Sequence, residues 1–310
     1  MKAVNFAHFH RRRILVAASF LTGYGFACHL GRSPSCPEVV RMGVAGSLAN
    51  TAVEAAFHFA DTVNVRAKTT SGNASSLHIL TSIYRQEGLT GFTRGFSACF
   101  YGSVFCGFLY FSLYKLFKLH LSGYLTPPPL FFVASFIAEL FTLLVYYPFD
   151  LIKCRLQSKN YIFKYKNLPH AFMKEIKEGS VLALYRGATP FLVTYCLCVS
   201  IQFTIFESMM AHFKRRYGTD FEKKEVTLNM TAAFLGGAVG SGLTNAFDVL
   251  TINKQTDPKV QLIEIARREG VNLLTKGLLA RVYYNSMQSI VFFQLVLHIG
   301  KVYDVELSDD

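Results

Sequence analysis

Three aspartates, Asp61, Asp150 and Asp248, each close an apolar run, and each is followed by a polar string. The surrounding segments read FADTVNVRAK, PFDLIKCRLQ and AFDVLTINKQ. In the second, Pro148 interrupts the apolar run, and Asp150, Lys153, Arg155 and Gln157 follow it. Two further acids, Glu54 and Glu139, lie inside apolar runs, where a carboxylate facing lipid would be costly. These residues suit reversible ion pairing and charge recognition rather than bond-making. No phosphate-binding loop, metal cluster or catalytic triad is visible, so neither an enzyme, a metal nor a cofactor is expected. Glu54 and Glu139 read as groups for cation recognition, proton coupling or a cavity salt bridge, or as neutral, hydrogen-bonded buried acids. His58 reads as a polar packing residue.

The elements that must position these groups are apolar. Of 310 residues, 51% are hydrophobic, which is high for a soluble domain. Windows such as 130–147, 184–206 and 278–299 approach or exceed the ~20 apolar residues that cross a bilayer. Each contains Gly, Ser, Thr, Cys or an occasional charge, a texture that suits helices packed around a polar interior. The net charge of +12 is spread over connecting segments such as 214–216, 223–224 and 267–268. That distribution points to anionic lipid and positive-inside bias, and away from nucleic acid. The seven cysteines show neither disulfide nor zinc spacing and read as small buried side chains. The N-terminal HFHRRRILVAASFLTGYGFACHL could be a targeting segment, a signal-like segment or an extra membrane-associated helix.

The aspartates belong to a repeat. Glu-Gly recurs at even spacing as Glu87-Gly88, Glu178-Gly179 and Glu269-Gly270, and a base-Gly pair follows each: Arg94-Gly95, Arg186-Gly187 and Lys276-Gly277. Each copy reads as a membrane helix ending near its aspartate, a connector with a short helix, and a second membrane helix starting near the base-Gly. The expected spans are 39–66, 92–118, 130–157, 183–212, 228–255 and 275–303. The division is 1–38 as an N-terminal extension, 39–124, 125–218 and 219–303 as three repeats, and 304–310 as an acidic tail. The expected fold is all-α: six transmembrane helices in three pseudo-threefold repeats, with short helices on one side.

These features resemble the mitochondrial carrier family. Its motif Pro-x-Asp/Glu-x-x-Lys/Arg-x-Lys/Arg is matched in full by Pro148, Asp150, Lys153 and Arg155, with Gln157 beyond, and LYRG at 184–187 matches its later aromatic-basic-Gly element. The resemblance covers roughly residues 39 to 303. It implies a multi-pass carrier of the mitochondrial inner membrane working by alternating access. It also implies that Pro148 bends its helix and that Asp61, Asp150, Lys153, Gln157 and Asp248 form a matrix-side gate. The pattern is incomplete. Phe59 and Ala246 stand at the other two proline positions, and Asn64 and Thr251 at the other two first-base positions. At most one of three ion pairs is expected to form in the usual way. The opposite, cytoplasmic gate also reads as thin, with Lys118 and Glu207 its main charged members.

By the same resemblance, substrate contacts fall at Gly102 with Ser103, Thr194 with Tyr195, and Tyr284, with Arg281 one turn earlier. Asn50, Glu54 and Glu139 should face the same interior. No carboxylate-clamping arginine pair appears, so di- and tricarboxylates are not expected. The tyrosines suit a planar or partly apolar ligand, or else are packing aromatics. Within the family, Gly102-Ser103, Glu139 and IQF at 201–203 with Glu207-Ser208 are similar to S-adenosylmethionine carriers, although Thr194-Tyr195 departs from the Arg-Glu pair there. Two functions remain open: transport of a nucleotide-like or cationic metabolite, or a non-transporting structural subunit of a larger inner-membrane complex. The implied partners are a small solute and membrane lipid, cardiolipin among the candidates.

Overall fold

A computed structural model describes residues 22–25, 28–29, 31–33, 35–69, 76–158, 160–257 and 259–307. The N-terminal extension and the acidic tail each lie partly outside these residues. The long helices are α1 (Glu38–Thr69), α3 (Phe96–Leu121), α4 (Pro129–Ser158), α6 (Ala188–Tyr217), α7 (Phe221–Leu243) and α10 (Leu278–Val302). Short helices α2 (Ser76–Glu87), α5 (Leu168–Gly179) and α9 (Leu262–Glu269) lie in the connectors, and α8 (Asn245–Thr256) follows α7 across the single residue Thr244.

Each long helix packs on its neighbours in sequence, and α10 closes back on α1, so the helices form a ring around an interior. By length and composition three stretches hold helices that can cross a membrane: 77–121, whose apolar span is α3, 129–158, and 188–243, which holds both α6 and α7. Helices α1 and α10 fall short on composition because they carry inward polar residues such as Asn50, Glu54 and Asp61, or Arg281, Asn285 and Gln288. Their place in the ring makes them spans, since a polar stripe is tolerated where it faces a shared interior.

The base-Gly pairs set where the even spans begin. Gly95, Gly187 and Gly277 cap α3, α6 and α10 with φ of 79°, 84° and 68°. That left-handed backbone is open to glycine at little cost, so the chain reverses sharply there. The expected spans at 92, 183 and 275 therefore begin too early. A 3-10 turn (Gly88–Thr93), another (Val181–Tyr185) and a four-residue helix (Asn272–Thr275) occupy those positions. In the second copy the base-Gly lies one residue further from Glu-Gly than in the others, and Ser180, with φ 64°, takes up the extra residue.

The fifth span differs from a single helix over 228–255. It breaks at Thr244, although Ala246 holds the proline position. The break follows a glycine-rich stretch in which Gly240 lies so close to α6 that an added Cβ would stand 2.7 Å from the Cys198 carbonyl. Pro148, by contrast, is accommodated inside the unbroken α4.

Candidate functional site: a chamber between two closures

At the aspartate end, every acid has a donor from another copy. Lys153 Nζ lies 3.1 Å from Asp61 and 3.1 Å from Asp150. Gln157 donates to Asp61 at 3.2 Å, and Gln255 donates to Asp150 at 2.9 Å. Lys68 pairs with Asp248. Lys68, Gln157 and Gln255 each stand seven residues after their own copy's aspartate, and each reaches the aspartate of a neighbouring copy. Lys153 supplies the one pair in the usual position. The other two aspartates are nonetheless satisfied, because Lys68 and Gln255 lie one turn beyond Asn64 and Thr251 and replace them. The closure is fuller than the motif alone implied.

A second threefold set ties the aspartate ends of the odd spans to the turns that start the even spans. His58 Nε2 bonds the Arg94 carbonyl at 3.0 Å, Tyr147 Oη donates to the Arg186 carbonyl at 2.6 Å, and Asn245 Nδ2 donates to Leu274 and Lys276 carbonyls at 2.9 and 3.3 Å. All three stand three residues before an aspartate. This role was not legible, because His, Tyr and Asn share no motif and only their common offset reveals them.

On the connector side, Glu87 is gripped by Arg66 at 2.6 Å and Arg94 at 2.9 Å. Burial pushes its carboxyl up, but the Arg66 hydrogen bond and the two guanidinium charges outweigh that and hold it below the ordinary range. Arg155 pairs with Glu175 at 2.8 Å, and Lys276 with Glu269 at 3.0 Å.

The opposite end is closed by Glu207, which is fully buried and takes Lys118 Nζ at 2.8 Å and the Tyr114 hydroxyl. Around it lies an aromatic layer: Phe206 and Phe293 stack at 3.8 Å, with Phe203, Tyr110 and Phe111 against them. Lys118 also donates to the Leu307 carbonyl at 2.6 Å. The expected thinness referred to charged pairs. Packing and the chain's own carboxyl-terminal segment supply the rest of the closure.

Between the two closures lies a chamber of about 230 Å³. Asn50, Glu54, Glu139, Tyr195, Arg281 and Tyr284 line it, as do Asp61, Lys153 and Asp248. Gly102, Ser103 and Thr194 are not among its lining residues. Gly102 packs against the Tyr146 ring, where a Cβ would approach to 3.0 Å, and the Ser103 carbonyl accepts from Asn50 at 3.2 Å. Thr194 is buried against Thr251, their hydroxyls 3.2 Å apart. On α3 the lining residues are instead Cys106, Gly107, Tyr110 and Phe111, one to two turns further on. Arg281 lines the chamber but is committed. It donates to Ser241 and Thr244 at 2.9 and 3.0 Å and pairs with Asp248 at 3.3 Å, so it braces the break in the fifth span. Gln202, Asn285 and Gln288 also line the chamber; stepping by helical turns from Tyr195, Arg281 and Tyr284 would have found them. Glu54 accepts from Gln288 at 3.0 Å and from the Cys99 thiol at 3.4 Å.

A helix ring with a polar chamber, closed at each end by contacts between different copies, defines a membrane solute carrier. A family model described as mitochondrial carrier protein matches residues 37–125 and 126–217, together more than half of the chain. The chain is also similar to the folate transporter 1, chloroplastic, of Arabidopsis thaliana, at 29% identity over 289 residues, covering 83% of this chain and 94% of that protein. It is 27% identical over 213 residues to the Arabidopsis mitochondrial arginine transporter BAC1, covering 64% and 68%. It is 26% identical over 237 residues to the Arabidopsis mitochondrial adenine nucleotide transporter ADNT1, covering 69% and 65%. The chain belongs to the mitochondrial carrier family, as a divergent member. It is accordingly a multi-pass protein of the mitochondrial inner membrane, and a transporter by family rather than an enzyme.

Proposed function

We propose that this protein moves a small nucleotide-like or cationic metabolite across the inner membrane by alternating access. The observation that supports this best is the pair of inter-copy closures on either side of one chamber. Each closure can open only by breaking contacts between copies, which is the two-state behaviour that alternating access needs. The aspartate ring serves as the matrix-side gate, and Lys118 with Glu207 as the cytoplasmic one. Asn50, Glu54, Glu139, Tyr195 and Tyr284 are the substrate contacts in this reading. Relatives named for folate, arginine and adenine nucleotides span the planar and cationic chemistries that such a lining suits. S-adenosylmethionine combines both. Basic connectors favour an anionic lipid such as cardiolipin as the surrounding partner.

The second reading is a structural subunit of a larger inner-membrane complex. It is favoured by one observation, the carboxyl-terminal segment folded over the cytoplasmic-side closure. Purified protein in liposomes, tested for uptake of S-adenosylmethionine, arginine, folate and adenine nucleotides, separates the two. Uptake above protein-free liposomes is expected for at least one solute. No uptake of any of them, with stable co-purification in a large assembly, would favour the structural role.

A further inference from the structure

The charges around the chamber do not balance. Among its lining residues Glu54, Asp61, Glu139 and Asp248 are acids, whereas Lys153 and Arg281 are the bases. Both bases are spent at the aspartate end, Lys153 on Asp61 and Asp150, and Arg281 on Asp248. Including Asp150 and Lys68, which complete that ring, adds one charge of each sign, so the excess of two acids remains. Glu54 has two neutral donors. Glu139 has no ion-pair or hydrogen-bond partner among the described residues, although it is only 8% exposed and lines the chamber. Its hydroxyl neighbour on α4, Thr142, is turned back to donate to the Ala138 carbonyl at 2.8 Å.

A buried carboxylate without a partner is costly. A site with an excess acid, walled by the rings of Tyr110, Tyr146, Tyr195 and Tyr284, has two features that attract a cation: the carboxylate and the aromatic faces. The chamber volume narrows the class further. At about 230 Å³ it falls below the ~300–1,000 Å³ typical of pockets for drug-sized ligands, so its closed form suits a compact solute better than a nucleotide.

We propose that Glu139 is the recognition carboxylate for a small organic cation, an amine, guanidinium or sulfonium compound of amino-acid size, with the tyrosine rings around it. Glu54, one turn nearer the aspartate end than Asn50, offers a second carboxylate along the same path. This deepens the transport reading and rests on it only for the direction of movement; binding alone can be tested without it.

The test is thermal unfolding of the full chain in detergent with L-lysine, L-arginine and choline, and with 3,3-dimethyl-1-butanol as choline's uncharged counterpart. A ligand that binds the folded state raises the melting temperature. At least one cation should raise it in the unaltered protein, and the uncharged compound should not. Glu139→Gln should weaken that response at least tenfold in ligand concentration, while Glu139→Asp keeps part of it. Glu139→Gln without ligand should melt no lower than the unaltered chain, because it removes an unpaired charge; this separates loss of recognition from loss of fold. The proposal is overturned if no cation stabilises the protein, if the uncharged compound does so equally, or if Glu139→Gln responds as the original does. Cation binding without liposome uptake would leave the site standing and remove the transport reading. Uptake that ignores both charge and Glu139 would do the reverse.

Discussion

At the scale of residues, the aspartate ring distributes its load unevenly. Lys153 serves two aspartates, and among the described residues Asp61 has no other base within its pairing distance. Asp248, in contrast, is shared between Lys68 and Arg281. Removing one partner of a buried pair costs about 3–5 kcal/mol when the remaining charge is stranded, and less when a second partner remains. Lys153→Met is therefore expected to lower the melting temperature more than Lys68→Met, as read by thermal unfolding in detergent. Equal losses would show that the two bases carry the ring equally. Glu87 makes a separate prediction. Its folded carboxyl is held below the ordinary range, so its contribution is present at neutral pH and lost as pH falls through that range towards the folded value. Glu87→Gln should lower stability at pH 7 and flatten the fall in melting temperature between about pH 5 and pH 4.

Elements are joined by ties that repeat by offset rather than by residue type. Tyr147 holds the Arg186 carbonyl, and Gly187, next to it, starts α6 in a left-handed conformation. Tyr147→Phe leaves that carbonyl without its donor and is expected to cost about 1–3 kcal/mol. Gly187→Ala is expected to cost a similar ~1–3 kcal/mol through backbone strain, and its Cβ would also meet Lys254 Cγ at 2.9 Å. Urea unfolding of each variant checks both figures. Much at this scale was legible in the sequence. The repeated aspartate, Glu-Gly and base-Gly markers located the helix ends and the connector helices, because each marks a backbone or charge requirement of its own. The break at Thr244 was not legible, since it comes from glycines packed on α6 and an arginine bracing the freed groups, with no proline to announce it. On α3 the chamber lining starts one turn beyond Gly102 for a related reason. Gly102 resembles an open contact in sequence, yet its missing side chain makes room for Tyr146 from the next helix. Lys68 and Gln255 were overlooked because the usual partner position lies one turn earlier.

For the molecule as a whole, the chain's end bears on which way the chamber can open. Tyr303 follows α10; its hydroxyl donates to the Cys28 carbonyl at 3.1 Å, and its own carbonyl accepts from Arg41 at 3.0 Å. Val305 and Leu307 beyond it are 5% and 2% exposed and pack into the cluster that contains Tyr114, Phe206 and Phe293. Lys118 thus has two attachments, Glu207 on α6 and the Leu307 carbonyl, so the segment ties the end of α10 to α3 across the closure. Opening there requires α3 to part from α6, and a bond to the chain end holds α3 in place while apolar side chains cover the gap. Truncation after Tyr303 removes that bond and cover but leaves the residue that caps α10. In a background with the partly exposed Cys28 and Cys36 changed to serine, the truncated protein is expected to react faster with a polar, membrane-impermeant thiol reagent at Cys106 and Cys198, which line the chamber. A cooperative melt of the same sample establishes that it is folded. Labelling at the full-length rate would mean that the aromatic layer and the Lys118–Glu207 pair close this end without help from the tail.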